Sequence, residues 1–167
     1  MLKAVIFDFG HTIMDELKDR DIPFSNIPIH LMPGVREVLP KISLPMGIWA
    51  NTRKVTERGV RLWLKRADIN QYFTWVVTSV EAGYRKPHPE FFSFALGKCG
   101  LKKNDVLFVG NQLNTDIQGA VDYGIRNVWL SGKAFRSLDD TYKVGQVTPS
   151  YAVSGLEALP KLIEFID

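Results

Sequence analysis

The sequence predicts an α/β fold, a mostly parallel sheet of five or six strands covered by helices on both faces. Short apolar runs rich in Val, Ile and Phe alternate with longer segments of helical period, and Gly or Pro marks the junctions. The length of 167 residues, with 46% hydrophobic and 23% charged residues, suits one ordinary globular domain over 1–167.

Ala4–Phe9 stops at Gly10 and reads as a buried strand. Pro33-Gly34 opens a helix through Ile42, with Val35, Val38 and Leu39 on one face. Met46–Ala50 is the second strand, and a helix follows from about Lys54 to Ala67. Its Lys54, Arg58, Arg61 and Lys65 form a basic stripe, read as a solvated face opposite Val55, Leu62 and Trp63. Trp75–Thr78 is the third strand, and Pro89 starts a helix that Cys99-Gly100 ends. Val106–Val109 is the fourth strand, followed by a helix from Thr115 to Tyr123. Asn127–Leu130 makes the fifth strand, and 131–150 is polar and turn-rich, a long loop. Tyr151–Val153 is a short sixth strand and Leu156–Ile166 a terminal helix. Trp49, Trp75 and Trp129 lie in strand runs and read as core.

Composition excludes several classes. Twenty-one Lys and Arg against eighteen Asp and Glu leave +3, too small a surplus to argue for a nucleic-acid partner. A single cysteine, Cys99, excludes an internal disulfide and a thiolate metal cluster. No apolar run reaches the roughly 18 residues of a membrane span. Asp8 interrupts the apolar N-terminal stretch, so it does not read as a secretory signal. The expectation is a cytoplasmic protein in a reducing compartment; a homo-oligomer stays open.

In such sheets a ligand sits beyond the carboxyl ends of the strands, where strand order reverses. Asp8, Asn51, the Lys86 region and Asn111–Asp116 follow apolar runs in that way. Any one of them could be a turn former or a surface residue. Together they form an ordered pattern: VIFDFGHTIMD, GIWANT, YRKPHPEFF and VLFVGNQLNTDIQGA. In these motifs, across nearly its whole length, the chain resembles the haloacid dehalogenase superfamily, whose members are mostly magnesium-dependent phosphatases. The resemblance implies a Rossmann-like three-layer sandwich with the first strand central and the fourth and second beside it.

It also implies roles. Asp8 matches the nucleophile that becomes an aspartyl phosphate. A carboxylate is a poor nucleophile in water and needs a metal or fixed cation to hold the phosphoryl group in line. Lys86 matches the cation that balances those charges and helps bind phosphate. Asn51 matches the residue whose backbone N–H meets a phosphoryl oxygen. The implied magnesium ligands are Asp8, the Gly10 carbonyl and Asn111, with Asp116 acting on the coordination sphere. The implied substrate is a phosphorylated molecule.

Three positions depart from the phosphatase pattern. Gly10 stands where the acid/base aspartate is usual, Ala50 replaces a Ser or Thr that donates to the phosphoryl group, and Asn111 replaces an acidic ligand. An amide oxygen can coordinate magnesium but brings no charge, so weak metal binding is expected. Acid–base catalysis is typically worth ~10²–10⁴-fold and a hydrogen bond to a charged group about 1.5–3 kcal/mol. Phosphate-monoester enzymes can exceed the uncatalysed rate by as much as ~10²¹, so a site without these groups can be slow yet far faster than water. Some active family members also lack the second aspartate.

His11 is read either as a substitute proton donor, since imidazole titrates near neutral pH, or as a polar loop residue pointing away. Arg53 and Arg85 stand near the strand ends and could reach an anionic substrate. The family's lids enter after the first motif or between the second and third. Ile13–Met32 is short, and Thr52–Arg85 is used up by a helix and a strand, so no cap domain is expected. An open cleft suits large substrates or cover by a neighbouring subunit.

The first functional expectation is therefore a hydrolase, a phosphatase of reduced activity acting through Asp8. A non-catalytic phosphate-binding or regulatory module is the alternative. A metal-free dehalogenase comes last, because no lid is present to enclose a small halo-acid.

Overall fold

A computed structural model describes residues 1–15, 28–136 and 144–167. The sheet holds β1 (Ala4–Phe7), β2 (Met46–Ala50), β3 (Phe73–Thr78), β4 (Val106–Gly110), β5 (Arg126–Leu130) and β6 (Tyr151–Val153). Their order is β3-β2-β1-β4-β5-β6, and every pairing is parallel. The expected Rossmann-like layering is present, with β1 central between β2 and β4.

Alternation along the central strands sorts side chains to opposite faces. Val5 and Phe7 of β1 join Ile48, Val76, Leu107 and Val109 in one core, which α1 (Val35–Val38), α2 (Glu57–Arg66) and α6 (Leu159–Ile166) cover. Ala4 and Ile6 join Trp49, Val77 and Phe108 in the other, under α4 (Pro89–Cys99) and α5 (Gln118–Tyr123). Trp49 is fully buried there, stacked on Phe108 at 5.6 Å and edge-on to Phe91 and Phe92.

The expected helices differ in their ends. The first is a single α turn continued by a 3₁₀ turn at Leu39–Lys41, because Pro40 has no N–H to extend the helix. The second begins at Glu57, and its basic stripe is not uniformly solvated: Arg61 lies against the sheet edge, while Leu62 is exposed and Val60 and Leu64 are buried. Trp75 and Trp129 are half-buried rather than core. A short α3 (Ser79–Ala82), absent from the sequence reading, is closed by a capping box in which Thr78 and Glu81 bond reciprocally.

Among the described residues no helical lobe stands over the carboxyl end of β1. The chain turns after Phe9, and Met14 pairs antiparallel with Leu31 on the way to α1. Residues 16–27 and 137–143, which hold parts of the expected lidless segment and of the 131–150 loop, lie outside the described residues.

Candidate active site

Asp8 follows β1, and its N–H donates to the Val109 carbonyl at 2.8 Å, so the β1–β4 pairing fixes where its side chain starts. Its Oδ1 lies 2.7 Å from the Lys86 ammonium, which also reaches Asp116 Oδ1 at 2.8 Å and the Trp49 carbonyl at 2.8 Å. An ammonium has three protons, and three acceptors take them. Lys86 is 3% exposed and Asp116 1%, and the Phe108 ring lies beneath the ammonium at 5.2 Å.

Two devices place Lys86. Asn51, just beyond β2, grips its backbone from both sides: Asn51 Nδ2 donates to the Lys86 carbonyl at 2.9 Å, and the Lys86 N–H donates to Asn51 Oδ1 at 2.8 Å. The expected phosphate-binding residue thus uses its side chain to position the lysine. Arg85 donates to the Thr52 carbonyl, tying the same two loops together. His88 caps α4 by accepting from the Glu90 N–H and stacks on Tyr84.

Asp116 sits in a π-helical turn, Leu113–Ile117, and its Oδ2 accepts from the Gln112 N–H at 3.1 Å. A Cβ at Gly110 would lie 2.6 Å from the Asp116 Cβ, so only glycine lets this turn fold back onto β4. Burial raises the Asp116 carboxyl to about 6, with the Asp8 charge adding to the rise and the Lys86 charge opposing it. For Lys86, burial alone would push the pKa down, but the charges and hydrogen bonds of Asp116 and Asp8 outweigh it and raise it.

Thr12, which the sequence reading passed over, completes the group. It is fully buried, and its hydroxyl lies 3.1 Å from Asp8 Oδ2 and 3.3 Å from Asn111 Oδ1. Its position inside the VIFDFGHTIMD turn, where Thr12, Ile13 and Met14 all donate to the Phe9 carbonyl, was the available signal. Asn111 Nδ2 donates to the Phe135 carbonyl at 2.8 Å, and the Trp129 indole donates to the Asn111 carbonyl at 3.0 Å. Asn111 therefore turns its oxygen, not its nitrogen, towards the Thr12 hydroxyl that also meets Asp8.

Asp8, Lys86, Asn51, Asn111 and Asp116 thus meet at the carboxyl ends of the strands. Gly10 lies in the turn, half-buried and bridged to Met14. His11 adopts a left-handed φ of 56° and directs Nδ1 at the Asp15 carboxylate, 3.4 Å away, at a half-exposed position. Ala50 is buried and supplies no hydroxyl, and the neighbouring Thr52 hydroxyl is bound to the Val55 carbonyl.

Asp8 Oδ2 and Asn111 Oδ1, brought together by one hydroxyl, are hard oxygen donors that fit a divalent cation such as magnesium, with the Gly10 carbonyl nearby in sequence. Among the described residues no group of three or more His, Cys, Asp or Glu side chains gathers. The charged set is Asp8 and Asp116 against Lys86, one negative charge in surplus.

A family model described as haloacid dehalogenase-like hydrolase matches residues 24–130, a span that holds Asn51, Lys86, Asn111 and Asp116 but begins after Asp8. A glyceraldehyde 3-phosphate phosphatase of Pyrococcus furiosus is 32% identical over 110 residues, 65% of this chain and 43% of that protein. The pyrimidine 5'-nucleotidase YjjG of Escherichia coli is 30% identical over 135 residues, 79% of this chain and 56% of that protein. The chain thus spans about half the length of these curated relatives. A protein from Listeria monocytogenes serotype 4b superposes with a TM-score of 0.85 over 98% of each chain, at 25% identity. On the family match and this fold, the chain belongs to the haloacid dehalogenase-like hydrolases.

Proposed function

We propose that the chain is a phosphatase that transfers a phosphoryl group to Asp8 and then to water. The observation that carries this reading is the division of labour on the Asp8 carboxylate. Oδ2 faces the Thr12 hydroxyl and, through it, Asn111 Oδ1, whereas Oδ1 faces the buried Lys86 ammonium. Oδ1 is then the attacking atom and Oδ2 the cation-facing one.

The Oδ1–P bond forms as the ester P–O bond breaks, and the leaving oxygen takes a proton. Water then attacks phosphorus in the aspartyl phosphate, releasing inorganic phosphate and the Asp8 carboxylate. Lys86 acts by neutralising charge, since its three N–H groups already donate to Asp8, Asp116 and the Trp49 carbonyl; phosphate contact requires it to exchange one of these bonds. Asp8, the Gly10 carbonyl and Asn111, with Asp116 in support, would hold magnesium, which would supply charge neutralisation when bound. His11 is the proposed proton donor, with Asp15 on its Nδ1.

The relatives' names favour a phosphorylated substrate. The lidless described face suits a large one, or cover by a second copy of the chain. The buried free thiol of Cys99 suits the cytoplasm, and no described helix is long and apolar enough to cross a membrane.

The test is phosphate release from an aryl phosphate. Turnover is expected with magnesium, reduced at least 10²-fold by Asp8→Asn and, because acid catalysis typically carries that much, ~10²-fold by His11→Ala. Buried Ala50, with no hydroxyl at that position, favours a second reading, a phosphate-binding module without turnover. Phosphate binding without release at high enzyme concentration would establish that module and remove the phosphatase.

A further inference from the structure

We infer that Asn111 is not a vacated aspartate but half of a built unit, in which the Phe135 main-chain carbonyl holds position 111 as an amide. The inference uses the phosphatase reading only in taking Asn111 Oδ1 as the cation-facing atom. The lock itself is geometric.

Two hydrogen bonds and one close contact surround Asn111, which is 1% exposed. Nδ2 donates to the Phe135 carbonyl at 2.8 Å, Oδ1 faces the Thr12 hydroxyl at 3.3 Å, and the backbone carbonyl accepts from the Trp129 indole at 3.0 Å. Phe135 ends a 3₁₀ turn, Lys133–Phe135, that its N–H closes by donating to the Gly132 carbonyl at 2.9 Å. The Phe135 ring is 3% exposed, so the turn is anchored on its own account. Gly132 presses against the Ser154 carbonyl so closely that a Cβ there would clash with it, which ties the turn to the end of β6 as well.

A carboxylate at position 111 would put an anionic oxygen against that fixed carbonyl, where no proton is available to join them. The amide fits because it presents one donor and one acceptor in opposite directions. Phe135 is thus a positioning residue, through its carbonyl, for the oxygen that Asn111 turns towards the Thr12 hydroxyl. The loop after β5 sets the charge of the site, and restoring the family's acidic residue breaks the loop.

The test compares Asn111→Asp and Asn111→Ala with the wild type, first in EDTA and then in excess magnesium chloride. Thermal unfolding and amide hydrogen exchange over residues 131–136 are the readouts. In EDTA, Asn111→Asp is expected to melt about 4–10 °C below the wild type and below Asn111→Ala, with 131–136 exchanging faster. Repulsion from Asp8 and Asp116 alone would be relieved by the cation; the oxygen–oxygen contact would not. Exchange at 131–136 that stays fast in magnesium therefore supports the unit. Exchange restored to the wild-type rate, or Asn111→Asp as stable as Asn111→Ala in EDTA, overturns it.

If Asn111→Asp does not fold, the wild-type protein decides. Its Asn111 side-chain amide should show a through-hydrogen-bond coupling to the Phe135 carbonyl carbon by NMR, and absence of that coupling overturns the unit. None of these readouts needs turnover, so failure of the phosphatase reading and failure of the lock are seen separately.

Discussion

Lys86 shows how much one buried cation can organise. Its partners are two carboxylates and a carbonyl that would otherwise face an apolar layer beneath Phe108. Removing one member of a buried charge group leaves the others unpaired, typically at about 3–5 kcal/mol. Lys86→Met should therefore unfold at lower urea by about that much at pH 7.5. Part of the loss should return at pH 5. The folded Asp116 pKa is raised above its unfolded value by burial and the Asp8 charge, so its contribution favours folding at low pH and is lost as pH rises through about 6. Taking away the ammonium that opposes the rise widens that window. A Lys86→Met deficit that is equal at both pH values, measured by urea titration, would show that Asp116 is not the titrating partner. At this scale Asp8, Lys86, Asn111 and Asp116 were legible because they stand in four ordered motifs that resemble the family's, although each position alone is a weak signal. The sequence did not reveal that Asn51 grips the Lys86 backbone or that Thr12 faces two oxygens at once, because those bonds depend on how separate loops meet.

Elements were legible where their period was strong. All six strands lie within a few residues of the apolar runs that predicted them, most clearly β1, β2 and β4, which are buried throughout and so are continuously apolar. The helix ends were less legible. The segment expected as one helix from Thr115 begins as a π-helical turn at Leu113, because Asp116 reaches back to the Gln112 N–H. α3 is too short to show a period, and only its Thr78 and Glu81 cap announces it. Two helical glycines separate packing from propensity. A Cβ at Gly119 of α5 would lie 2.6 Å from the Phe92 ring and 3.0 Å from Pro87 Cα, so this glycine lets α5 close on the residue next to Lys86. Nothing lies within 4 Å of a Cβ at Gly97 of α4. Gly119→Ala should lose about 1–3 kcal/mol to overpacking, and Gly97→Ala should gain about 0.5–1 kcal/mol from reduced unfolded-state freedom. Calorimetric melting checks both signs, and a stabilised Gly119→Ala would refute the close approach.

The whole molecule must also protect the two edges of an open sheet. An exposed strand edge offers unpaired N–H and C=O groups to another chain. β6 limits the offer by being three residues long, while β3, at the other edge, has six. Two features protect β3. Its register with β2 shifts between Met46 and Gly47, where Phe73 and then Trp75 pair, so Thr74 bulges out of the ladder. Arg61 of α2 then lays its guanidinium across the bulge, donating to the Phe73 carbonyl at 3.2 Å and the Thr74 carbonyl at 3.1 Å. Glu57 holds the guanidinium from the other side at 2.8 Å. These bonds are partly exposed, so their share of stability is about 1 kcal/mol or less. Their larger effect should be on association, because Arg61→Ala uncovers two adjacent carbonyls at the sheet edge without touching either core. The expected result is a small loss of stability with a clear rise in concentration-dependent self-association by light scattering. Lys65→Ala, an exposed change on the same helix, should raise neither. Equal scattering from the two variants would mean that the bulge alone keeps the edge closed.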